Sequence, residues 1–87
     1  MRVEVVRLMR LEGSPLKAFC DIQFSDDKGD SDSFIVKKFK VVEGKEGLFV
    51  GMPCEIGKGG RWFNTFMPLS QSIKDKIEQV VLECYNE

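Results

Sequence analysis

The sequence predicts an α+β fold, in which an antiparallel β-sheet of about five strands carries one C-terminal α-helix packed on it. Segments of alternating or β-branched apolar residues recur between residues 3 and 69, and turns containing Gly or Pro separate them. Residues 72–85 instead place apolar side chains at helical spacing. The chain has 87 residues, the size of one small domain, and we predict a single domain over residues 1–87.

The first two strands are predicted at residues 3–11 and 17–24. The first is rich in Val, and Gly13 and Pro15 mark a turn after it. The second alternates regularly, with Ala18, Cys20, Ile22 and Phe24 on one face. Such alternation is typical of an antiparallel strand that buries one face and exposes the other.

Three further strands are predicted at residues 34–43, 48–53 and 61–69. The segment 48–53 has no polar side chain, which favours a central position in the sheet. The segment 61–69 is less regular, and Pro68 closes it. Neither an internal repeat nor a low-complexity segment interrupts this pattern.

An acidic loop at residues 25–33 separates the second and third strands. Its Asp26, Asp30 and Asp32 suggest a calcium site. Their spacing does not fit the EF-hand loop, and no glutamate follows at the closing position. We therefore predict a solvated loop without metal.

The C-terminal segment is predicted to be an amphipathic helix. Ser72 and Asp75 approximate a capping box at its start. Leu82 and Tyr85 lie off the main apolar stripe, and a second contact, such as a partner chain, would explain them. The stripe that should lie on the sheet consists of Ile73, Ile77, Val80, Val81 and Cys84.

Composition argues against several functional classes. The chain has no histidine, which removes the commonest general base and metal ligand, and its three cysteines form no CxxC pair. We therefore predict a protein that is not an enzyme and has no metal, cofactor or small-molecule substrate. Charged residues interrupt the apolar N-terminal stretch, so we expect no signal peptide, no membrane contact and a cytoplasmic location.

The glycine-rich stretch "GKGGR" at residues 57–61 is the main candidate for a contact loop. It matches neither the Walker motif nor GxGxxG, and glycines here suit a hairpin tip. Lys58 and Arg61 would project from that tip, followed directly by Trp62 and Phe63. Alternation allows only one of these aromatic rings to face the core. Two interpretations stay open: a tip alone, or a tip that also contacts nucleic acid.

Lysines also occur in two other groups, one on the third predicted strand and one near the start of the helix, and a different physical reason accounts for each group. Strand alternation places Lys38 and Lys40 on one face and Lys37 on the other, where they could protect a sheet edge. Lys74 and Lys76 lie near the helix start, where cations oppose the helix dipole. A bound anion there would compensate for that placement.

Three segments resemble the stage V sporulation protein G family (SpoVG, septation regulator). They are "VRLMRL", "VVEGKEGLFVGMP" and "MPLSQSIKDKIEQVVLECY", and the resemblance covers nearly the whole chain. It implies a homodimeric cytoplasmic regulator of septation, cell division, sporulation and gene expression. Several members of the family are DNA-binding or RNA-binding proteins. This chain departs from the family's basic residues after Met-Pro, and from its His before the second proline, at Cys54, Glu55, Ile56 and Met67.

The resemblance and the basic residues together give a leading hypothesis and an alternative. The leading hypothesis is a homodimeric regulator that binds DNA or RNA through Lys58, Arg61, Trp62, Lys74 and Lys76. The alternative is a protein-interaction module of the cell-division machinery that does not bind nucleic acid. Its contact surface would comprise Phe63, Phe66, Leu82 and Tyr85.

Overall fold

The computed structural model describes residues 1–27 and 32–87 and confirms the α+β class. A four-stranded sheet and a two-stranded sheet precede one helix within this part of the chain. A short 3₁₀ turn at Lys58–Gly60 joins the last two strands. The elements in order are β1 (Arg2–Arg10), β2 (Leu16–Ser25), β3 (Ser33–Gly44), β4 (Gly47–Gly51), β5 (Cys54–Ile56), β6 (Trp62–Asn64) and α1 (Gln71–Tyr85).

The large sheet is an antiparallel meander in the order β1-β2-β3-β4, so β1 and β4 form its edges. The prediction that residues 48–53 form a central strand is therefore wrong. Val50 is buried, but Phe49 on the opposite face of β4 is 48 % exposed, so this apolar strand buries only one side. The predicted fifth strand at 61–69 is also wrong in extent, since only β6 is extended and it pairs with β5.

The core lies between α1 and one face of the large sheet, and this packing confirms the predicted alternation of β2. All four predicted inward residues of β2 are buried, as are Ile77 and Val81 of α1, whose side chains are 0 % exposed. Removing a side chain of this size from water contributes about 1.5–3 kcal/mol. We call the opposite face of the large sheet the outer face.

Aromatic rings extend this core beyond the helix. Phe66, in the connection between β6 and α1, has its ring centroid 5.5 Å from that of Phe24 and 5.4 Å from that of Phe39. The contact with Phe39 is edge-to-face, a geometry that aromatic pairs prefer. Phe66 therefore belongs to the core and not to a free interaction surface.

The start of α1 is capped by a different serine from the one predicted. Ser70 is the N-cap, and its Oγ accepts a hydrogen bond from the backbone N–H of Ile73 at 3.3 Å. Asp75 instead accepts from the side chain of Gln71 at 2.8 Å. The capping box at Ser72 and Asp75 is thus wrong, because the N-cap lies two residues earlier, at Ser70.

The end of α1 is held by a cation from the opposite end of the chain. Arg10 of β1 donates a hydrogen bond to the carbonyl oxygen of Tyr85 at 2.7 Å, and its guanidinium lies 4.7 Å from the centroid of the Tyr85 ring. A cation at a helix C-terminus interacts favourably with the helix dipole. Leu82 and Tyr85 also pack against the core, so the expectation that they form a second apolar face is wrong.

Residues 28–31 lie outside the described residues, and with them Asp30 of the proposed acidic loop. On either side, the N–H of Asp26 donates to the carbonyl oxygen of Asp32 at 3.1 Å. Residues 1–27 and 32–87 contain no group of three or more side chains that could hold a metal ion. In the same residues, no helix is long and apolar enough to cross a membrane.

Cys20 is a buried free thiol beneath the helix. Its burial, together with the nearby Cys84 and Asp21, raises its pKa to about 12. The thiol therefore stays protonated in the folded protein under conditions in which an exposed cysteine ionises. A neutral thiol of this kind behaves as a small apolar side chain.

This difference predicts a loss of stability at alkaline pH. In the unfolded chain Cys20 ionises near its ordinary value of 9.0, whereas in the fold it ionises near 12. Between these values the unfolded state binds fewer protons, so the free energy of unfolding falls as pH rises, by up to about 1.4 kcal/mol per pH unit. Urea unfolding between about pH 8 and pH 11 should show a shallower decline for Cys20→Ala than for the wild type. Cys54→Ala is the control and should keep the wild-type slope, and equal slopes for all three proteins would contradict the prediction.

Candidate nucleic-acid interface

The glycine-rich stretch forms the tip of the β5–β6 hairpin, as the sequence predicted. The backbone N–H of Gly57 donates to the carbonyl oxygen of Arg61 at 2.7 Å and closes the tip. Gly59 and Gly60 have φ angles of 81° and 78°, a conformation that other residues adopt only at a cost. Lys58 and Arg61 are both exposed at this tip.

Neither Trp62 nor Phe63 faces the core, which corrects the prediction that one of them would. Trp62 is 65 % exposed and Phe63 is 51 % exposed. The physical reason is that β5 and β6 form a separate two-stranded sheet, so both of its faces reach solvent. Trp62 pairs with Ile56 and Phe63 with Glu55, and the two rings lie on opposite faces of the hairpin.

A lysine of the large sheet connects Trp62 to the outer face. Lys40 lies on the outer face, because its neighbours Phe39 and Val41 are both buried on the other side. Its Nζ lies 5.5 Å from the centroid of the Trp62 ring and donates to Cys54 Sγ at 3.1 Å. A cation over an indole ring contributes about 0.5–1 kcal/mol at an exposed site.

The two predicted helix residues have different surroundings. Lys74 is exposed in the first turn of α1, which contains no acidic residue. Lys76 donates through its Nζ to the carbonyl oxygen of Met1 at 2.5 Å, which ties α1 to the start of β1. Residues two positions apart on a helix point about 200° apart, so Lys74 and Lys76 do not share a face.

The five predicted residues therefore form two groups. Lys58, Arg61 and Trp62 are neighbours on one hairpin, while Lys74 and Lys76 lie on opposite sides of α1. Across residues 1–27 and 32–87, the ion pairs join Met1 to Asp27 and Lys17 to Glu43, and none involves these predicted residues. The charges at the hairpin tip are thus available to an anionic ligand.

A depression of about 320 Å³ on the outer face is the feature that the sequence interpretation missed. It exists because β1 and β3 each contain a β-bulge where they pair with β2. In β3, Lys37 and Lys38 together oppose Asp21, which corrects the expectation that Lys37 and Lys38 lie on opposite faces. The outer-face residues that line the depression are Arg7, Met9, Phe19, Asp21, Lys37 and Lys38.

A signal for both bulges is present in the sequence. In β3 the inward apolar positions change from the even-numbered Val36 to the odd-numbered Phe39. In β1 they change from Val5 to Leu8 in the same way. A change of parity within one strand means that one extra residue has been inserted.

Comparison with known proteins gives consistent matches over the whole chain. A family model described as SpoVG matches residues 1–87. The chain is 37% identical over 83 residues to a protein of Archaeoglobus fulgidus, covering 94% of this chain and 91% of that protein. It is 32% identical over 88 residues to a protein of Treponema denticola, covering 100% and 88% of the two chains. Both proteins carry the name "Putative septation protein SpoVG".

The exposure of Trp62 can be tested by fluorescence, because it is the single tryptophan of the chain. We expect acrylamide to quench its emission nearly as efficiently in the folded protein as in the unfolded one. Lys40→Met should change the emission of Trp62, because it removes the cation from the ring, and should leave the far-ultraviolet circular dichroism unchanged. Lys45→Met, in the β3–β4 turn, is the matched control. Strong protection of Trp62 from acrylamide would contradict the exposed hairpin geometry.

Proposed function

The chain belongs to the SpoVG family, and from this membership we propose that it is a cytoplasmic, homodimeric regulator of septation, sporulation and gene expression that binds DNA or RNA. The observation that carries the nucleic-acid part is the exposed hairpin tip, which presents Lys58 and Arg61 together with an exposed Trp62 directly after Arg61. Cations hold the phosphate backbone, and an aromatic ring offers a platform on which a base stacks.

The chemistry of the tip favours a single-stranded or locally opened nucleic acid. A base stacked on an aromatic side chain contributes about 1–3 kcal/mol. The indole of Trp62 has Lys40 near one part of its ring and is otherwise mostly accessible. Lys58 and Arg61 lie close enough along the chain to contact phosphates that flank such a base.

Lys74 supports the proposal more directly than Lys76 does. Lys74 is exposed in the first turn of α1, where free backbone N–H groups and the helix dipole also attract anions. Lys76 is bound to the carbonyl oxygen of Met1. We propose that Lys74 contacts a phosphate and that Lys76 adds positive charge without leaving its structural partner.

The homodimer part of the proposal is supported by exposed apolar side chains near the hairpin. Leu69, in the connection that leads to α1, is 96 % exposed, and Met67 is 67 % exposed. Phe63, on the face of the hairpin opposite Trp62, is also more than half exposed. Other apolar side chains, such as Val6 and Phe49, are exposed on the large sheet, but Phe63, Met67 and Leu69 follow one another within one short stretch of the chain. Exposed apolar groups of this kind are typical of a protein–protein contact.

The alternative, a protein-interaction module of the cell-division machinery without nucleic-acid binding, has less support. Phe66, Leu82 and Tyr85 of its expected surface pack against the core. Phe63 is exposed, but it lies in the same segment as the apolar side chains that we assign to the dimer contact. A partner protein and a second copy of the chain would therefore compete for it.

The nucleic-acid proposal predicts salt-dependent binding that depends on the hairpin tip. Fluorescence anisotropy with a labelled single-stranded RNA and a mixed-sequence duplex should give a log–log salt slope of roughly −3 to −6. Lys58→Glu should weaken binding by about tenfold, which corresponds to about 1.4 kcal/mol. Lys45→Glu makes the same charge change in the exposed β3–β4 turn and should have little effect. Absence of binding at low salt would favour the interaction-module alternative.

The dimer proposal predicts a mass of twice the chain's 9.9 kDa. Light scattering coupled to size-exclusion chromatography at micromolar concentration should give this mass for the wild type. Leu69→Asp should shift the protein towards the monomer, because it places a charge in the apolar contact. Val6→Asp, on the outer face, is the control and should keep the dimer. A monomeric wild type would contradict the proposal.

A further inference from the structure

The depression on the outer face has a defined structural origin. Two β-bulges flank the same part of β2, one in β1 between Val5 and Arg7 and one in β3 opposite Asp21. A bulge bends its strand and increases the local twist, so two bulges on neighbouring edges of β2 make the sheet concave there. Bulges are frequent next to functional sites, where they redirect side chains.

The β3 bulge holds one residue in a strained conformation. Lys38 has a φ of 73°, and it is the single non-glycine residue with positive φ in the described part of the chain. For a residue with a Cβ this conformation is unfavourable, because the Cβ comes too close to the following carbonyl oxygen. The backbone N–H of Lys38 donates to Asp21 Oδ1 at 3.4 Å, which offsets part of the cost. Strain of this kind clusters at ligand sites and persists where the surrounding structure enforces it.

The lining of the depression combines an apolar surface with an excess of positive charge. Met9 and the half-buried Phe19 are cross-strand partners and provide the apolar part. Arg7, Lys37 and Lys38 are exposed around it, against the single carboxylate of Asp21. This arrangement is complementary to a ligand that has one flat apolar group and one or more negative charges.

A row of outer-face side chains links the depression to the hairpin that carries Trp62. Phe19 lies opposite Lys40 in the β2–β3 register, and Lys40 contacts the Trp62 ring. Two aromatic rings with a lysine between them therefore follow one another from the depression to the hairpin. Single-stranded nucleic acids bind to such alternating aromatic and basic groups, because successive bases stack while the phosphates are neutralised.

We propose that the depression is a subsite for one unstacked nucleotide of a single-stranded nucleic acid, with the base on Phe19 and Met9 and the phosphate held by Arg7 and Lys37. This inference rests on the proposed function and deepens it, because it names the single strand as the ligand and adds residues outside the hairpin and α1. The volume of about 320 Å³ lies at the lower end of the range for small-ligand sites. A double helix would leave such a depression unfilled, since its bases are stacked and paired.

A second copy of the chain fits the depression less well. A two-fold contact through the same face would bring Arg7, Lys37 and Lys38 close to the identical residues of the other copy. Juxtaposed like charges repel each other and suppress such pairings. The charge on this surface therefore favours an anionic partner.

Binding of a labelled single-stranded RNA of about 12 nucleotides tests the inference. The double variant Arg7→Gln/Lys37→Gln should weaken binding by about tenfold and reduce the magnitude of the salt slope by about 1–2. Phe19→Leu should also weaken binding by about tenfold, but with an unchanged salt slope, because it removes stacking and no charge. Lys45→Gln, in the β3–β4 turn, is the matched control for Lys37→Gln alone: it removes the same single charge elsewhere and should bind the RNA like the wild type. Duplex binding should be unaffected by Phe19→Leu.

Controls for folding and for other ligands determine how the binding results are interpreted. Circular dichroism and thermal unfolding show whether each variant is folded. If the double variant does not fold, the single variant Lys37→Gln, at an exposed position, takes its place. If the depression variants bind the RNA as tightly as the wild type does, this inference is overturned and the proposed function stands. If neither the wild type nor any variant binds the RNA, both are overturned. Adenosine monophosphate binding as tightly as the RNA, with the same dependence on Phe19, would overturn the assignment to a strand. If the depression variants change the oligomeric mass and leave RNA binding unchanged, the outer face is instead a contact with a second copy of the chain, which would overturn the inference.

Discussion

The rest of the structure depends on the packing of α1 against one face of the four-stranded sheet. A meander of four strands buries nothing by itself, and here Ile77 and Val81 complete a core that the strands only half enclose. The N-cap at Ser70 and the Arg10 contact at Tyr85 fix the two ends of the helix over that core. Because a single helix covers a single face, the outer face and the hairpin are left for other contacts.

The bulges show how the core and the outer face are reconciled within the same strands. In β3, Val36 and Phe39 both pack towards the helix although they are three positions apart, a spacing that would put them on opposite faces of a regular strand. The inserted residue keeps both side chains inward and places Lys37 and Lys38 together at the depression. The core therefore loses no apolar contact, while the outer face gains a pair of adjacent cations that a regular strand would separate.

The sequence predicts the structure best where a pattern of residues is compatible with only one local structure. The alternation in β2 and the stripe in α1 each bury one defined face, and the glycines at the hairpin tip meet a requirement for positive φ. The sequence predicts the structure less well where the same pattern of residues is compatible with two different structures. An apolar run such as that of β4 suits an edge or a central strand, and the Trp62–Phe63 pair suits a core or an exposed hairpin. Regular strand alternation does not predict the depression, because the bulge at Lys37 and Lys38 breaks that alternation.

A net charge of −1 does not argue against a polyanionic ligand when the charges are separated in space. Asp26, Asp27 and Asp32 lie at the β2–β3 turn, beyond the end of β2 at Ser25. Phe19 is six residues back along β2 from Ser25, which corresponds to about 20 Å of extended chain. That distance exceeds the Debye length of about 8 Å at physiological salt, so the acidic turn has little effect on the field at the depression. The local excess of cations on the outer face, and not the total charge of the chain, therefore determines which ligands that face attracts.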